Sequence, residues 1–131
     1  MSEAAFIARA VGVPWRRWCA SWERMDCFGL VVLWHREVLG VELGDVPQTD
    51  IAAGFSAARG WQECGPDPGC TGFMTWRGGA PSHCGMLVAG GFLLHAQEGY
   101  PIPEHGSVRL TRLAVMQRLA PDLRFYRYRP C

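Results

Sequence analysis

The 131-residue chain has no marked excess of charge: 13 Lys and Arg stand against 12 Asp and Glu, a formal net charge of +1. That balance removes the electrostatic case for a nucleic-acid partner or an anionic membrane surface. No apolar run approaches the ~18 residues needed to cross a bilayer. The N-terminus, Ser2 to Val13, has no basic start followed by an apolar block, so no signal peptide is read there. The expectation is a protein made in the cytoplasm, without a membrane span. Repeats, low-complexity tracts and linkers are also missing, and residues 1–131 read as one domain with one core. Metal-type cysteine spacing is absent too: five residues separate Cys64 from Cys70, and no second close pair follows. No metal and no organic cofactor are expected. In a cytosolic setting the six cysteines are expected as free thiols or ligands rather than as three bridges.

What is present is an ordinary globular balance, 49% hydrophobic and 19% charged, with six tryptophans. Several of these should line a groove or an interface. Ser2 caps a helix from Glu3 to about Val11, which Gly12-Val13-Pro14 ends. A loop, Trp15 to Cys19, carries aromatic and basic groups toward a second helix. That helix holds Leu30, Val31, Trp34 and Val38 at helical spacing, with Gly40 as its stop. Val41 to Thr49 reads as extended, and Asp50 caps a short helix from Ile51 to about Arg59. Cys64 to Cys70 encloses a Gly- and Pro-rich turn. Strands are expected at 72–77, 83–89, 92–97, 107–110 and 124–128, with a short helix over 112–119. Helices first and strands after imply α+β: N-terminal helices packed on an antiparallel sheet.

The chain is organised around Met25-Asp26-Cys27-Phe28-Gly29-Leu30-Val31. Asp26 is a good N-cap, because its carboxylate can accept from the free amides of a first turn. Cys27 then falls at the first helical position, where unpaired N–H groups and the helix dipole favour a thiolate. It is the candidate nucleophile. The second chemical signal is Ser82-His83-Cys84-Gly85-Met86 followed by Gly90-Gly91 and Phe92-Leu93-Leu94-His95-Ala96, a hairpin with two histidines. A two-residue turn at Gly90-Gly91 pairs Met86 with His95 and puts the histidines on opposite faces. A three-residue turn over Ala89-Gly90-Gly91 pairs Gly85 with His95 and puts both on one face. Catalysis requires the second register. His83 would then take the Cys27 proton and His95 would hold the imidazole in place, a constellation that attacks acyl carbons. His35, among helix charges, and His105, in a Pro- and Gly-rich loop, are expected to be exposed and uninvolved.

Gly12-Val13-Pro14-Trp15, Asp26-Cys27-Phe28-Gly29-Leu30-Val31, His83-Cys84-Gly85-Met86-Leu87 and Leu94-His95-Ala96 resemble, in that order, the motifs of NlpC-like cysteine peptidases. These are papain-like enzymes that cut peptide bonds in bacterial cell-wall stems. The resemblance spans about residues 7–96 and implies Cys27 as nucleophile, His83 as base and His95 as the orienting third member. It also implies a peptidoglycan stem peptide as substrate. Trp15, Trp18, Asp26 and Phe28 are candidates for the substrate groove. Phe28 stands where the family commonly has serine, Trp15 where it has tyrosine, and Cys84 where it has valine. The short form and the ending Arg124-Phe125-Tyr126-Arg127-Tyr128-Arg129 are similar to the subgroup encoded beside phage tail genes. That similarity implies a place in the virion tail, with a tail-tip hub or other tail proteins as partners. The alternative is a structural tail-tip or tail-assembly protein that keeps the peptidase fold with little turnover. The six tryptophans and the substituted groove residues argue for it.

Overall fold

The computed structural model describes residues 1–44, 60–66 and 72–129. The expected helix over 51–59, the end of the connection before it, and most of the turn between Cys64 and Cys70 lie outside them. Helix α1 (Glu3–Ala10) starts where Ser2 Oγ accepts from the Ala5 amide at 3.1 Å and buries Phe6 and Ala10. Helix α2 (Cys27–Trp34) continues into a π-helical turn, His35–Leu39, closed by Gly40 in the left-handed conformation. Phe28 to His35 are all buried. A helix apolar on every side has no solvent face to show a period, so α2 is the centre of the core rather than an amphipathic cover.

Six strands follow: β1 (Trp61–Cys64), β2 (Gly72–Arg77), β3 (Ala80–Val88), β4 (Phe92–Gln97), β5 (Ser107–Arg112) and β6 (Leu123–Tyr128). They form one antiparallel sheet in the order β1-β6-β2-β3-β4-β5. A short helix, α3 (Leu113–Leu119), links the last two strands. The expected architecture of helices on an antiparallel sheet is therefore the observed one. Strand β1 escaped the sequence reading because Trp-Gln-Glu-Cys has no clean alternation; its half-buried ends and exposed middle mark an edge strand held by β6. No helix among the described residues is long and apolar enough to cross a membrane.

The sheet separates two apolar clusters. Cys84, Met86 and Val88 of β3, Leu94 and Ala96 of β4 and Val108 of β5 join the α1 and α2 side chains in the larger one. Leu93, Met116 and Phe125, with Leu87, Leu113 and Leu123 beside them, make the smaller one on the opposite face. The alternation of side chains thus assigns even positions of β3 and β4 to α2 and odd positions to the α3 side. His83 and His95 are both odd.

Three expectations are corrected here. His35 is 3% exposed, not a solvent-facing residue; its Nδ1 donates to the Val31 carbonyl at 2.8 Å and its ring meets Trp61 and Tyr128 edge-on. Burial holds its pKa below the usual imidazole value. The tryptophans do not form a groove: Trp15 and Trp34 are buried, Trp22, Trp61 and Trp76 pack against the core, and Trp18 alone is exposed. Apolar area buried is worth ~25 cal/mol per Å², and in so small a domain these large rings supply much of it. Finally, Cys64 is disulfide-bonded, whereas Cys19, Cys27 and Cys84 are free. His105 is exposed, as expected.

Candidate active site

The start of α2 is built by Asp26. Its Oδ1 accepts from the Gly29 amide at 2.7 Å and its Oδ2 from the Trp18 amide at 2.6 Å. One carboxylate therefore caps the helix and ties down the preceding loop, whose chain doubles back so that the Asp26 amide donates to the Cys19 carbonyl at 3.0 Å. The loop lies so close to the first turn that a Cβ on Gly29 would come within 1.9 Å of the Cys19 carbonyl oxygen. Only glycine fits there. Burial pushes the Asp26 carboxyl up to about 6, the neighbouring Cys27 charge adding to it and the Gly29 and Trp18 amides opposing it.

Cys27, the first residue of α2, lines an open cavity of about 420 Å³ together with His83 and His95. Its thiol is held well below the usual range. Cys84 is the largest cause, His83 acts the same way through its proximity and charge, and together they outweigh burial. Cys84 moves oppositely: burial, the hydrogen bond to Cys27 and the nearby Cys27 and Asp26 charges push it well up. The two shifts run in opposite directions and favour negative charge on Cys27 over Cys84.

The hairpin register is the one that catalysis requires. Met86 faces Leu94, Leu87 faces Leu93 and Val88 faces Phe92, leaving Ala89, Gly90 and Gly91 as a three-residue loop. Both glycines have φ near +80°, Gly90 at 83° and Gly91 at 75°, a conformation that side chains with a Cβ rarely adopt. Carried one residue further, this register sets Gly85 opposite His95 and brings His83 onto the same face. His83 Nε2 is 2.9 Å from His95 Nδ1, and His95 Nε2 is 2.7 Å from Thr111 Oγ1. His95 is 2% exposed, and burial, with help from the charges of His83 and Arg109, holds it down to about 3. A neutral imidazole carries one N–H. If His83 donates through Nε2, His95 accepts at Nδ1, and its one N–H, on Nε2, is donated to Thr111.

Of the four groove candidates, Trp15 lines the cavity. Asp26 and Phe28 do not: both are buried, the first as the cap and the second in the core. Trp18, with φ at +62°, is exposed and is not among the lining residues. Thr75, Arg77, Ser82, Glu98, Arg109 and Thr111 complete much of the polar lining. None of these was singled out from the sequence. Thr111 was the most accessible of them, since it lies on the strand paired with β4 and shares the parity of Arg109, which faces His95. Among the described residues no three His, Cys, Asp or Glu side chains are grouped as a metal ion would need.

The sequence model of the NlpC/P60 family matches residues 12–111. Among solved structures, the NlpC/p60 domain of the peptidoglycan hydrolase SagA aligns with a TM-score of 0.61 at 20% identity, over 95% of this chain and 98% of that one. At that identity the likeness speaks for the fold, a papain-like arrangement of helices on an antiparallel sheet. No curated protein matches this chain significantly.

Proposed function

Because the chain belongs to the NlpC/P60 family, we propose that it is a cysteine peptidase cutting the stem peptides of peptidoglycan, with Cys27 as nucleophile, His83 as base and His95 as orienting residue. One observation carries the reading. A helix-start cysteine, its thiol held well below the usual range, shares a cavity with a histidine whose Nε2 lies 2.9 Å from Nδ1 of a second, buried histidine. The solved domain of similar fold comes from a peptidoglycan hydrolase, which supports the substrate class.

The chemistry follows from the geometry. His83 Nε2 is occupied by His95, so Nδ1 is the nitrogen that accepts the Cys27 proton. The thiolate attacks the peptide carbonyl carbon, and the π electrons move onto oxygen. The backbone amide of Cys27 at the start of α2, which has no partner within the helix, stabilises that oxyanion. Collapse expels the amine, which takes the proton from the His83 imidazolium and leaves a thioester on Cys27. Water, losing a proton to His83, then attacks the thioester; the acid product leaves and the thiolate returns.

The test is release of soluble peptides from purified peptidoglycan. Cys27→Ala is expected to abolish it while leaving the fold intact, and His83→Ala to lower it by at least ~10³-fold. Undiminished release by Cys27→Ala would refute the assignment.

A role in a phage tail, as a tail-tip or tail-assembly component made in the host cytoplasm, is the finer part of the proposal. Its support is the resemblance of the Arg124 to Arg129 segment to that subgroup. Mass spectrometry of purified particles tests it: the chain is expected at a fixed ratio to tail proteins, and its absence there rejects the role. The rival reading, a structural tail-tip or tail-assembly protein with little turnover, drew on the six tryptophans and on the substituted groove residues Trp15 and Phe28. With Trp15 and Trp34 buried and three more tryptophans packed on the core, its support is now the substitutions at Trp15 and Phe28.

A further inference from the structure

The charges lining the cavity do not balance. Its carboxylate and guanidinium side chains are Glu98, Arg77 and Arg109. Glu98 is already met by Arg17 of the 15–19 loop, at 3.8 Å. Among the described residues neither Arg77 nor Arg109 has an ion-pair partner. Proton transfer between Cys27 and His83 leaves their summed charge unchanged, so it does not offset the two guanidiniums.

The arginines stand on either flank of the β3–β4 hairpin that carries the histidines. Arg109 is the direct cross-strand partner of His95 in the β4–β5 register. Opposite residues of an antiparallel pair hold their Cβ atoms ~4.5–5.5 Å apart. Burial and the charges of His83 and Arg109 all disfavour an imidazolium at His95, in keeping with a guanidinium close to the site. Arg77 is placed differently: it ends β2 and pairs with Ala80, at the start of β3 and away from the β4 partner of Arg109. Met116, Leu119 and Ala120 give the same cavity an apolar wall.

We propose that Arg109 is a specificity-determining residue whose guanidinium receives a carboxylate of the stem peptide, so that the cavity selects peptides in which this group is free over those in which it is amidated. The inference rests on the proposal that stem peptides bind in this cavity. A guanidinium is always charged and presents a planar fork of donors that fits both oxygens of a carboxylate, whereas a carboxamide offers one acceptor oxygen and no charge. An exposed ion pair is worth little because water competes for both partners. A peptide seated against the apolar wall excludes much of that water, and the charge-assisted bond strengthens accordingly.

The experiment compares kcat/KM on three synthetic stem peptides: one with every carboxylate free, one amidated at an internal glutamate and one amidated at the C-terminus. With wild type, one of the two amidations is expected to lower kcat/KM roughly tenfold or more, and the peptide affected identifies the carboxylate. Arg109→Gln should bring that ratio close to one. Arg109→Lys, a point charge without the fork, should give an intermediate value, and Arg77→Gln should change the ratio less than Arg109→Gln does. The same ratio is expected in Kd, measured by isothermal titration on Cys27→Ala and on its Arg109→Gln derivative, which needs no turnover. A merely structural Arg109 would slow cleavage of all three peptides alike and leave the ratio intact, which overturns the proposal. So does a wild type indifferent to both amidations, or a ratio lost in Arg77→Gln and kept in Arg109→Gln. If wild type cuts no peptide while the Kd ratio behaves as described, the peptidase reading fails and the carboxylate subsite stands.

Discussion

His83 Nε2 lies 2.9 Å from His95 Nδ1, with the two rings nearly perpendicular at 82°. Edge-on contact aims one ring's N–H at the in-plane lone pair of the other, which a stacked pair could not do. His95 thereby fixes which nitrogen of His83 is left for the sulfur. Replacing His95 by alanine is expected to lower kcat/KM for peptide release by about 10² or more. His95→Asn, whose side-chain oxygen can occupy the place of Nδ1, should retain more activity than His95→Ala. Steady-state rates on peptidoglycan fragments check the order, and equal activity of all three proteins would remove His95 from the site.

Thr111 is the end of that chain of contacts. Thr111→Val keeps the shape but leaves the buried Nε2 of His95 without its hydrogen-bond partner. The expected loss in urea unfolding is about 1–3 kcal/mol, with a lower kcat. Thr111→Ser, which retains the oxygen, should recover most of both. A valine variant as stable and active as wild type would show that His95 does not depend on this bond.

Asp26 and His95 pull the pH dependence of stability in opposite directions. Both are buried, at 7% and 2% exposure, so solvent screening does not reduce either effect appreciably. His95 is held down to about 3 from 6.5. It contributes stability that is complete above pH 6.5 and is lost as pH falls toward 3. Asp26 is raised from 3.8 to about 6; it contributes stability that is complete below 3.8 and is lost as pH rises through 6. Lowering pH from about 6.5 to 4.5 costs roughly 2–3 kcal/mol through His95 and returns roughly 2 through Asp26. Buried His35 adds to the loss in every variant compared. Relative to wild type, His95→Gln should lose less stability over this window and Asp26→Asn should lose more. Urea titrations at the two pH values measure both slopes, and parallel slopes in all three proteins would contradict the assignment.

Gly29→Ala pits propensity against space. Alanine is the better helix former by about 1 kcal/mol. Its Cβ, however, would stand 1.9 Å from the Cys19 carbonyl oxygen and 2.9 Å from Asp26 Oδ1. The clash is with backbone, which cannot rotate away, so the expected outcome is a net loss of several kcal/mol and a disturbed Asp26 cap. Thermal unfolding read beside the Cys27 alkylation rate tests both. A variant as stable as wild type would mean that the 15–19 loop yields easily.

Much of this was legible in the chain because the signals act over a few residues. Asp26 before Cys27 states where a helix begins and which side chain takes its first position. Alternation bounds β2 at 72–77 and β4 at 92–97 without help from the rest of the molecule, and the ordered motifs around both histidines point to the family. Other features depend on what distant segments bring. The choice between a two- and a three-residue turn at Gly90-Gly91 was open until Met86, Val88 and Leu94 had to share one face with α2. His35 reads as polar beside Arg36 and Glu37, yet Trp61 and Tyr128 from the far edge of the sheet bury it. Thr111 acquires its meaning only where a neighbouring strand brings His95 within reach. Local backbone preference thus determined the elements and the candidate nucleophile. The burial of apolar faces contributed from across the chain decided register, burial and contact.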